Sequence, residues 1–186
     1  FYSDLVDELL ANGIEPLVTL FHWNYPIALH NQGGWLNEQS PLWFEEYAKV
    51  VVDRLSDRVK YWITFNEPQM FVLLGYQIGI HAPFQKLTAK EIARISHNVM
   101  LAHGRAVKTI RKYAKSVAKV GFAPTGPCVS PLDETPEGIE RARSMSFACD
   151  GPDFAVTNAW WADPIVLGKY PEDAMAWLGA DKPEIK

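Results

Sequence analysis

The ten residues YWITFNEPQM, at positions 61–70, join a strand-like run to a polar end. The aromatic and β-branched side chains of residues 61–65 are typical of a buried β-strand. After them the sequence changes at once to Asn66, Glu67 and Pro68: an amide, a carboxylic acid and a residue with no backbone N–H to donate. A buried strand that presents an amide beside an acid at its end predicts that chemistry takes place there.

Two other segments have the length and the continuous apolar character of buried strands, namely residues 14–21 (IEPLVTLF) and residues 118–125 (AKVGFAPT). Strands that are apolar throughout and alternate with amphipathic helices predict a parallel sheet covered by helices. Five helices are predicted, of which the first is residues 3–11. Ser40-Pro41 opens the second, with Phe44, Tyr47, Val51 and Leu55 on its apolar face, and the third follows the capping box Thr88–Glu91 and buries Ile92, Ile95, Val99, Ala102, Ala106 and Ile110. A shorter helix starts at Thr135-Pro136, and the last is residues 153–167, with Trp160 and Trp161 in the core.

The lengths of the connections favour one α/β architecture over another. Long segments follow the first two strands, at residues 22–40 and 68–86, whereas the connections from helices back to strands are short. This asymmetry is typical of a (β/α)8 TIM barrel, and no strand is followed by the Gly-rich loop of a doubly wound sheet. Because a full barrel takes about 250 residues, residues 1–186 are predicted to be one partial barrel domain with an incomplete set of βα units and no second domain.

Composition excludes several classes of partner. The net charge of −4 without a basic stripe predicts no nucleic acid, and no apolar run approaches the length of a membrane span. The absence of a hydrophobic leader predicts a cytoplasmic location. Cys128 and Cys149 are interpreted as small buried hydrophobes. His97 and His103 are six positions apart, which is not the spacing of metal ligands on one helix face, so neither a metal nor another cofactor is expected.

The ends of the first two strands carry the polar side chains. His22 and Trp23 follow one strand, and Asn66 and Glu67 follow the next, so in a parallel sheet we expect all four on one rim. Burial among aromatic side chains predicts a raised pKa for the Glu67 carboxyl, which then acts as a general acid. An amide and an imidazole suit hydroxyl groups, and an indole suits the apolar side of a ring. The pattern predicts a sugar site; the structural alternative is that Glu67 only caps the turn opened by Pro68.

A series of motifs resembles a known family. In chain order they are TLFHWNYP, GGWLN, TFNEP, GYQIGIHAP, AHGRAVK and DPIVLGKYPED. Together they extend over almost the whole chain and resemble glycoside hydrolase family 1, the retaining β-glucosidases. The resemblance implies a (β/α)8 barrel of which this chain covers about strands three to five.

The resemblance also implies roles for the residues at the strand ends. Glu67 corresponds to the general acid/base and Asn66 to the residue that binds the sugar 2-hydroxyl. His22 corresponds to a ligand of the 3-hydroxyl, and Trp23 to a wall of the subsite that holds the sugar. The implied substrate is a β-glucoside or an oligosaccharide.

Some positions depart from the family pattern. Asn24 and Tyr25 replace the residues usually found after the His-Trp pair, and they are expected to alter the loop more than the chemistry. Gln69 stands where the family often has a tryptophan that stacks on the leaving group, which makes it a further candidate for the site. Asn158 is a second such candidate, because it is predicted to approach the pocket.

A retaining mechanism needs a second carboxylate about 5–5.5 Å from the first. No aspartate or glutamate follows the other two predicted strands, and the family's nucleophile motif does not occur in this sequence. The chain is therefore predicted to carry the acid/base half of the site, to need the remainder of the same barrel as a partner, and to be inactive alone. The alternatives are a catalytically inactive carbohydrate-binding remnant and a 6-phospho-β-glycosidase; the His-Trp pair and Pro68 disfavour the latter.

Overall fold

The structure, a computed structural model, describes residues 1–183, in which strands and helices alternate as predicted. The strands are β1 (Leu17–Phe21), β2 (Tyr61–Asn66) and β3 (Lys119–Ala123). The helices are α1 (Tyr2–Ala11), α2 (Ile27–His30), α3 (Ser40–Leu55), α4 (Pro68–Val72), α5 (Ala89–Tyr113), α6 (Pro136–Phe147), α7 (Asn158–Val166) and α8 (Glu172–Leu178), with short 3₁₀ helices at Gly34–Leu36, Phe154–Val156 and Gly179–Asp181 and a π-helix at Leu73–Gln77.

The three strands form one parallel sheet in the order β1-β2-β3, which confirms the predicted pairing. Leu17 of β1 lies opposite Tyr61 of β2, which in turn lies opposite Lys119 of β3. The outer strands are shorter than the sequence predicts. The first begins at Leu17 and not at position 14, since Pro16 has no N–H to add to the ladder.

A β-bulge interrupts the pairing of β2 with β3. Ile63 lies opposite Gly121, but Asn66 lies opposite Ala123, so β2 has one residue more than β3 over this interval. Strict alternation is lost as a result, and the consecutive residues Thr64 and Phe65 are both fully buried. A bulge of this kind bends its strand and turns the side chains that follow.

Backbone packing divides the chain into two compact units, one formed by Phe1–Asn66 and Leu101–Ala123, the other by Glu67–Met100 and residues 124–183. The first unit contains the sheet. Its core is an aromatic cluster centred on the fully buried Phe65, whose ring centroid lies 4.5 Å from that of Phe44, 5.4 Å from Phe21, 5.6 Å from Trp35 and 6.4 Å from Phe122.

The buried face of α3 differs from the predicted one. Phe44 and Leu55 are buried as expected, but Ala48 and Val52 lie between them in place of Tyr47 and Val51. Tyr47 is exposed, and its hydroxyl donates a hydrogen bond to the Leu20 carbonyl (3.0 Å). The predicted N-cap Ser40 is instead the buried first residue of the helix, and Gln39 precedes it as the N-cap.

The second unit contains the segment predicted to be a loop at residues 68–86, and this prediction is wrong for its first half. Residues 68–77 are helical, as α4 and the π-helix, and they bury Phe71, Val72 and Tyr76. Their apolar composition is that of a helix face turned to a core. Trp160 and Trp161 of α7 are fully buried, as predicted, although the predicted helix at 153–167 begins with a separate 3₁₀ turn.

The predicted helix starts are confirmed at α5 and α6. The Glu91 carboxylate accepts hydrogen bonds from the backbone N–H (2.9 Å) and the hydroxyl (2.7 Å) of Thr88, which lower its pKa. Thr135 accepts a hydrogen bond from the Gly138 N–H (3.0 Å). The six predicted apolar positions of α5 are all buried: Ile92, Ile95, Val99, Ala102, Ala106 and Ile110.

The two cysteines are free, and they differ in their surroundings. Cys149 is buried, as predicted, and burial raises the pKa of its thiol to about 11. Cys128 is exposed, so its interpretation as a buried hydrophobe is wrong.

Among residues 1–183, none of the helices is both long enough and apolar enough to cross a bilayer.

The aromatic cluster gives a stability prediction. Phe65→Ala in the complete protein is expected to lower the free energy of unfolding by about 3–5 kcal/mol, because it removes a fully buried ring and leaves a cavity. Urea unfolding followed by tryptophan fluorescence measures the change. The control is Val50→Ala on α3, where the side chain is 54% exposed and a change within about 0.5 kcal/mol is expected. Equal losses for both variants would contradict the assignment of Phe65 to the core.

Candidate active site

The end of β1 brings two of the predicted site residues into position. Phe21 is buried in the aromatic cluster, and the next residue, His22, is exposed. Trp23 then adopts a left-handed backbone conformation with φ of 72°. This conformation costs a residue with a side chain about 1–2 kcal/mol, and it turns the indole toward β2. The Trp23 Nε1–H donates a hydrogen bond to the carbonyl oxygen of Asn66 (3.1 Å).

The end of β2 completes this group. The Asn66 amide nitrogen lies 3.3 Å from His22 Nε2, so its N–H donates to that ring nitrogen when the imidazole carries its proton on Nδ1. The rings of His22 and Trp23 are 6.0 Å apart and meet edge to face. The predicted proximity of His22, Trp23 and Asn66 at neighbouring strand ends is therefore confirmed. The amide and the imidazole there are suited to binding hydroxyl groups, and the indole is suited to the apolar side of a ring.

Glu67 follows Asn66 directly in the chain and also has a left-handed backbone, with φ of 45° and ψ of 61°. It is the N-cap residue of α4, whose first turn begins with the hydrogen bond from the Met70 N–H to the Glu67 carbonyl oxygen (2.9 Å). Its side chain makes no capping hydrogen bond to that helix, so the structural alternative for the carboxyl is wrong. The residue is half-buried, less enclosed than the sequence predicts.

The side chain of Gln69 is committed to packing within the second unit. It is fully buried, and its Oε1 accepts a hydrogen bond from the backbone N–H of Thr125, just after β3 (3.1 Å). The amide thus connects the first turn of α4 to the segment that follows the third strand. A fully buried amide does not face a leaving group, so the burial gives no support to Gln69 as a candidate for the site.

Asn158 also acts as a connector. Its amide nitrogen, at the start of α7, donates hydrogen bonds to the carbonyl oxygens of Pro127 (2.6 Å) and Ser146 (3.0 Å). A side chain on Gly126 would collide with the same amide, which explains the glycine there. These contacts give Asn158 a structural role in holding residues 126–127, and its approach to the pocket stays a prediction.

Tyr25, which departs from the family pattern, also has a structural role. Its ring packs against Trp35 (5.2 Å between centroids) and Phe21 (6.5 Å), and burial raises the pKa of its hydroxyl to about 12.

The left-handed backbone of Trp23 and Glu67 has no sequence signal, since neither residue is a glycine or an asparagine. Left-handed conformations of residues other than glycine concentrate at functional sites, where the surrounding structure holds the strained backbone in place.

Comparison with known proteins extends over the whole chain. The family model described as glycosyl hydrolase family 1 matches residues 1–186. Beta-glucosidase A of Acetivibrio thermocellus is 39% identical over 94% of this chain and 37% of its own length. The coniferin beta-glucosidase of Pinus contorta is 37% identical, with 100% of this chain and 38% of the relative covered. The chain thus spans less than two-fifths of the length of these relatives.

Solved structures agree with the sequence relatives. A family 1 b-glucosidase from Thermotoga maritima superposes with a TM-score of 0.84 at 36% identity, over 98% of this chain and 39% of the other. The Thermotoga maritima beta-glucosidase in complex with glucoimidazole gives the same TM-score at 35% identity. These matches confirm the predicted α/β fold class, a (β/α)8 barrel represented by part of its βα units. By its sequence over its full length and by its fold, this chain belongs to glycosyl hydrolase family 1.

Proposed function

We propose that this chain carries the acid/base half of the active site of a retaining β-glucosidase. Glu67 is the proton donor, Asn66 binds the 2-hydroxyl of the sugar, His22 binds the 3-hydroxyl, and Trp23 forms a wall beside the ring. The substrate is a β-glucoside or an oligosaccharide, and the remainder of the barrel supplies the rest of the site. Names such as beta-glucosidase and coniferin beta-glucosidase among the relatives support this substrate class.

The observation that carries the proposal is the hydrogen-bonded group at the ends of β1 and β2. Trp23 is bonded to the carbonyl of Asn66, and the Asn66 amide is within 3.3 Å of His22. The carboxyl of Glu67 belongs to the very next residue and is not used to cap α4. The carboxyl of a half-buried acid that makes no capping contact is available for proton transfer.

The proposed reaction has two steps. In the first, the Glu67 carboxyl gives its proton to the glycosidic oxygen while the bond from that oxygen to the anomeric carbon breaks. A nucleophilic carboxylate from the remainder of the barrel forms an ester bond to the same carbon. In the second step, the Glu67 carboxylate takes a proton from a water molecule, which displaces the enzyme carboxylate and returns the sugar with its β configuration.

The stereochemistry of the product tests this proposal. The complete protein is incubated with 4-nitrophenyl β-glucoside, and proton NMR follows the anomeric signal of the glucose that is released first. Initial β-glucose is expected; initial α-glucose would exclude the retaining mechanism. A parallel assay with the 6-phosphorylated substrate separates the phospho-glycosidase alternative, since activity only on that substrate would replace the β-glucosidase assignment. Binding of glucose analogues without turnover would indicate the inactive remnant.

The role of Asn66 gives a quantitative prediction. Asn66→Ala in the complete protein is expected to reduce kcat/KM by roughly 30- to 150-fold, about 2–3 kcal/mol, because hydrogen bonds to the 2-hydroxyl strengthen in the transition state. A 2-deoxy glucoside lacks that hydroxyl, so the same substitution should change its hydrolysis little. The two substrates therefore serve as controls for each other in one kinetic comparison. Equal losses on both would assign Asn66 to folding of the strand end and not to the sugar.

A further inference from the structure

A hydrogen bond joins the bulge in β2, just before Asn66, to helix α5. Thr64 of β2 is fully buried, and its hydroxyl oxygen is 2.8 Å from Nδ1 of His103 on α5. The same hydroxyl donates to the carbonyl oxygen of Gly121 on β3, at 3.4 Å. Since a threonine hydroxyl has one proton, the three groups are satisfied together when His103 Nδ1–H donates to Thr64 and Thr64 donates to Gly121. A single chain of hydrogen bonds then links the helix to both strands.

The surroundings of His103 suit a fixed, neutral imidazole. Its ring meets the Phe122 ring edge to face, with 5.0 Å between centroids, and Phe122 in turn contacts Phe65 of the aromatic cluster. Burial, with a smaller contribution from the charge of Arg111, lowers the pKa of His103 to about 4. The imidazole is therefore uncharged at neutral pH, and its donor function in this chain of bonds is constant there.

The position of Thr64 along β2 connects the hydrogen bond to the geometry of the bulge. Thr64 is one of the two residues, with Phe65, that lie between the last regular pair Ile63–Gly121 and the shifted pair Asn66–Ala123. A bulge leaves part of the ladder disrupted, so a side-chain bond at the bulge can contribute to its geometry. The hydroxyl of Thr64 bonds to β3 at the point where the register changes.

We propose that Thr64 and His103 are positioning residues, which set the orientation of Asn66 and Glu67 by holding the bulge in β2; the inference rests on the proposed function of those two residues. Neither residue touches the substrate. A displacement of about 1 Å at a reacting group is enough to reduce a rate by about 100-fold, so loss of this bond should affect proton transfer without unfolding the protein.

The test compares variants that differ in hydrogen-bond geometry more than in size. Asparagine at position 103 places an amide where His Nδ1 lies, whereas glutamine places it where Nε2 lies. We measure the ratio of kcat/KM for an alkyl β-glucoside to that for 4-nitrophenyl β-glucoside in the complete protein, because only the alkyl leaving group needs full protonation. His103→Gln and Thr64→Val should lower this ratio by about tenfold, and His103→Asn and Thr64→Ser should retain it.

The control for general destabilisation is Thr109→Val. Thr109 is also a buried threonine, and its hydroxyl bonds to Glu45 at 3.4 Å, away from the bulge. A loss of folded protein lowers the rates for both substrates together and leaves their ratio unchanged, so the control should keep the wild-type ratio. If His103→Gln and Thr64→Val also keep the wild-type ratio, the positioning role is excluded.

Hydrogen exchange separates this inference from the proposed function. The backbone amides of residues 65–67 should exchange at least tenfold faster in His103→Gln and Thr64→Val than in wild type, and at the wild-type rate in Thr109→Val. This measurement needs no turnover. If the variants exchange faster but the wild-type protein has no β-glucosidase activity, the structural part of the inference is retained and the proposed function is rejected. Unchanged exchange would reject the inference even in an active enzyme.

Discussion

Purified alone, the 186-residue chain is expected to release no nitrophenol from an aryl β-glucoside above the uncatalysed background. A retaining site needs two carboxylates about 5–5.5 Å apart, and only β2 is followed directly by one, Glu67. β1 is followed by His22 and Trp23, and β3 by Pro124 and Thr125. Glu15 precedes β1 and so lies at the opposite end of the sheet. Without a nucleophile the glycosyl ester cannot form.

The sheet itself gives a second expectation for the isolated chain. Within residues 1–183, β1 and β3 each pair only with β2, so each has an edge without a partner strand. Leu17 on β1 is 60% exposed, and Ile63 of β2 is half-buried. Phe65 is fully buried even with these three strands alone. Unpaired edges beside apolar side chains promote association, and a barrel is closed by further strands. We therefore expect the isolated chain to associate with the remainder of its barrel or to aggregate.

Size-exclusion chromatography combined with the aryl glucoside assay tests both expectations on one sample. The matched control is the same chain mixed or co-expressed with the remainder of the barrel, which should become active and elute as one species. A monodisperse 186-residue monomer that hydrolyses the substrate would overturn the prediction. It would require a second carboxylate that acts from a position other than a strand end.

Glu67→Gln in the complete protein is expected to slow hydrolysis of substrates with poor leaving groups by about 10²–10⁴-fold, the usual contribution of general acid catalysis. An alkyl alcohol leaves with difficulty unless its oxygen is protonated. A nitrophenolate needs little protonation, so the first step on 4-nitrophenyl β-glucoside should be affected much less. Glutamine is similar in size to glutamate, and the carboxyl makes no capping bond to α4, so the fold should be preserved.

The kinetics of both substrates distinguish the acid from other roles of Glu67. Pre-steady-state measurement of nitrophenol release isolates the first step, and the steady-state rate for an alkyl β-glucoside reports the need for the proton. Circular dichroism and urea unfolding of the variant provide the folding control. A loss of the same size on both substrates would remove Glu67 from the role of proton donor.

The sequence predicts those features that a strand or helix determines by itself. The apolar run of residues 61–65 and the turn at Pro68 place Asn66 and Glu67 at a strand end, and the structure has them there. The proximity of His22 to Asn66 follows from parallel pairing alone. These predictions need only the periodicity of one element and the direction of its neighbour.

The features that the sequence does not predict depend on contacts with other elements. The bulge at Thr64 requires a comparison of β2 with β3, because the one local signal, Gly121 in β3, does not show that β2 has the extra residue. The Gln69 side chain is fully buried and accepts a hydrogen bond from Thr125, which is 56 positions away in the chain. On α3, Tyr47 satisfies its hydroxyl at the Leu20 carbonyl and lies at the edge of the buried face. Secondary-structure propensity and hydrophobic periodicity do not predict such long-range bonds.

The left-handed backbone of Glu67 has an evolutionary consequence. Glycine adopts this conformation without penalty and asparagine at a small one, whereas glutamate loses about 1–2 kcal/mol in every folded molecule. Natural selection tolerates such a loss only where the carboxyl contributes to fitness. In a lineage that no longer needed the carboxyl, glycine or asparagine at position 67 would relieve this strain, and either replacement is expected to make the descendant protein more stable. A relative with glycine or asparagine at this position is therefore expected to have lost selection for the carboxyl.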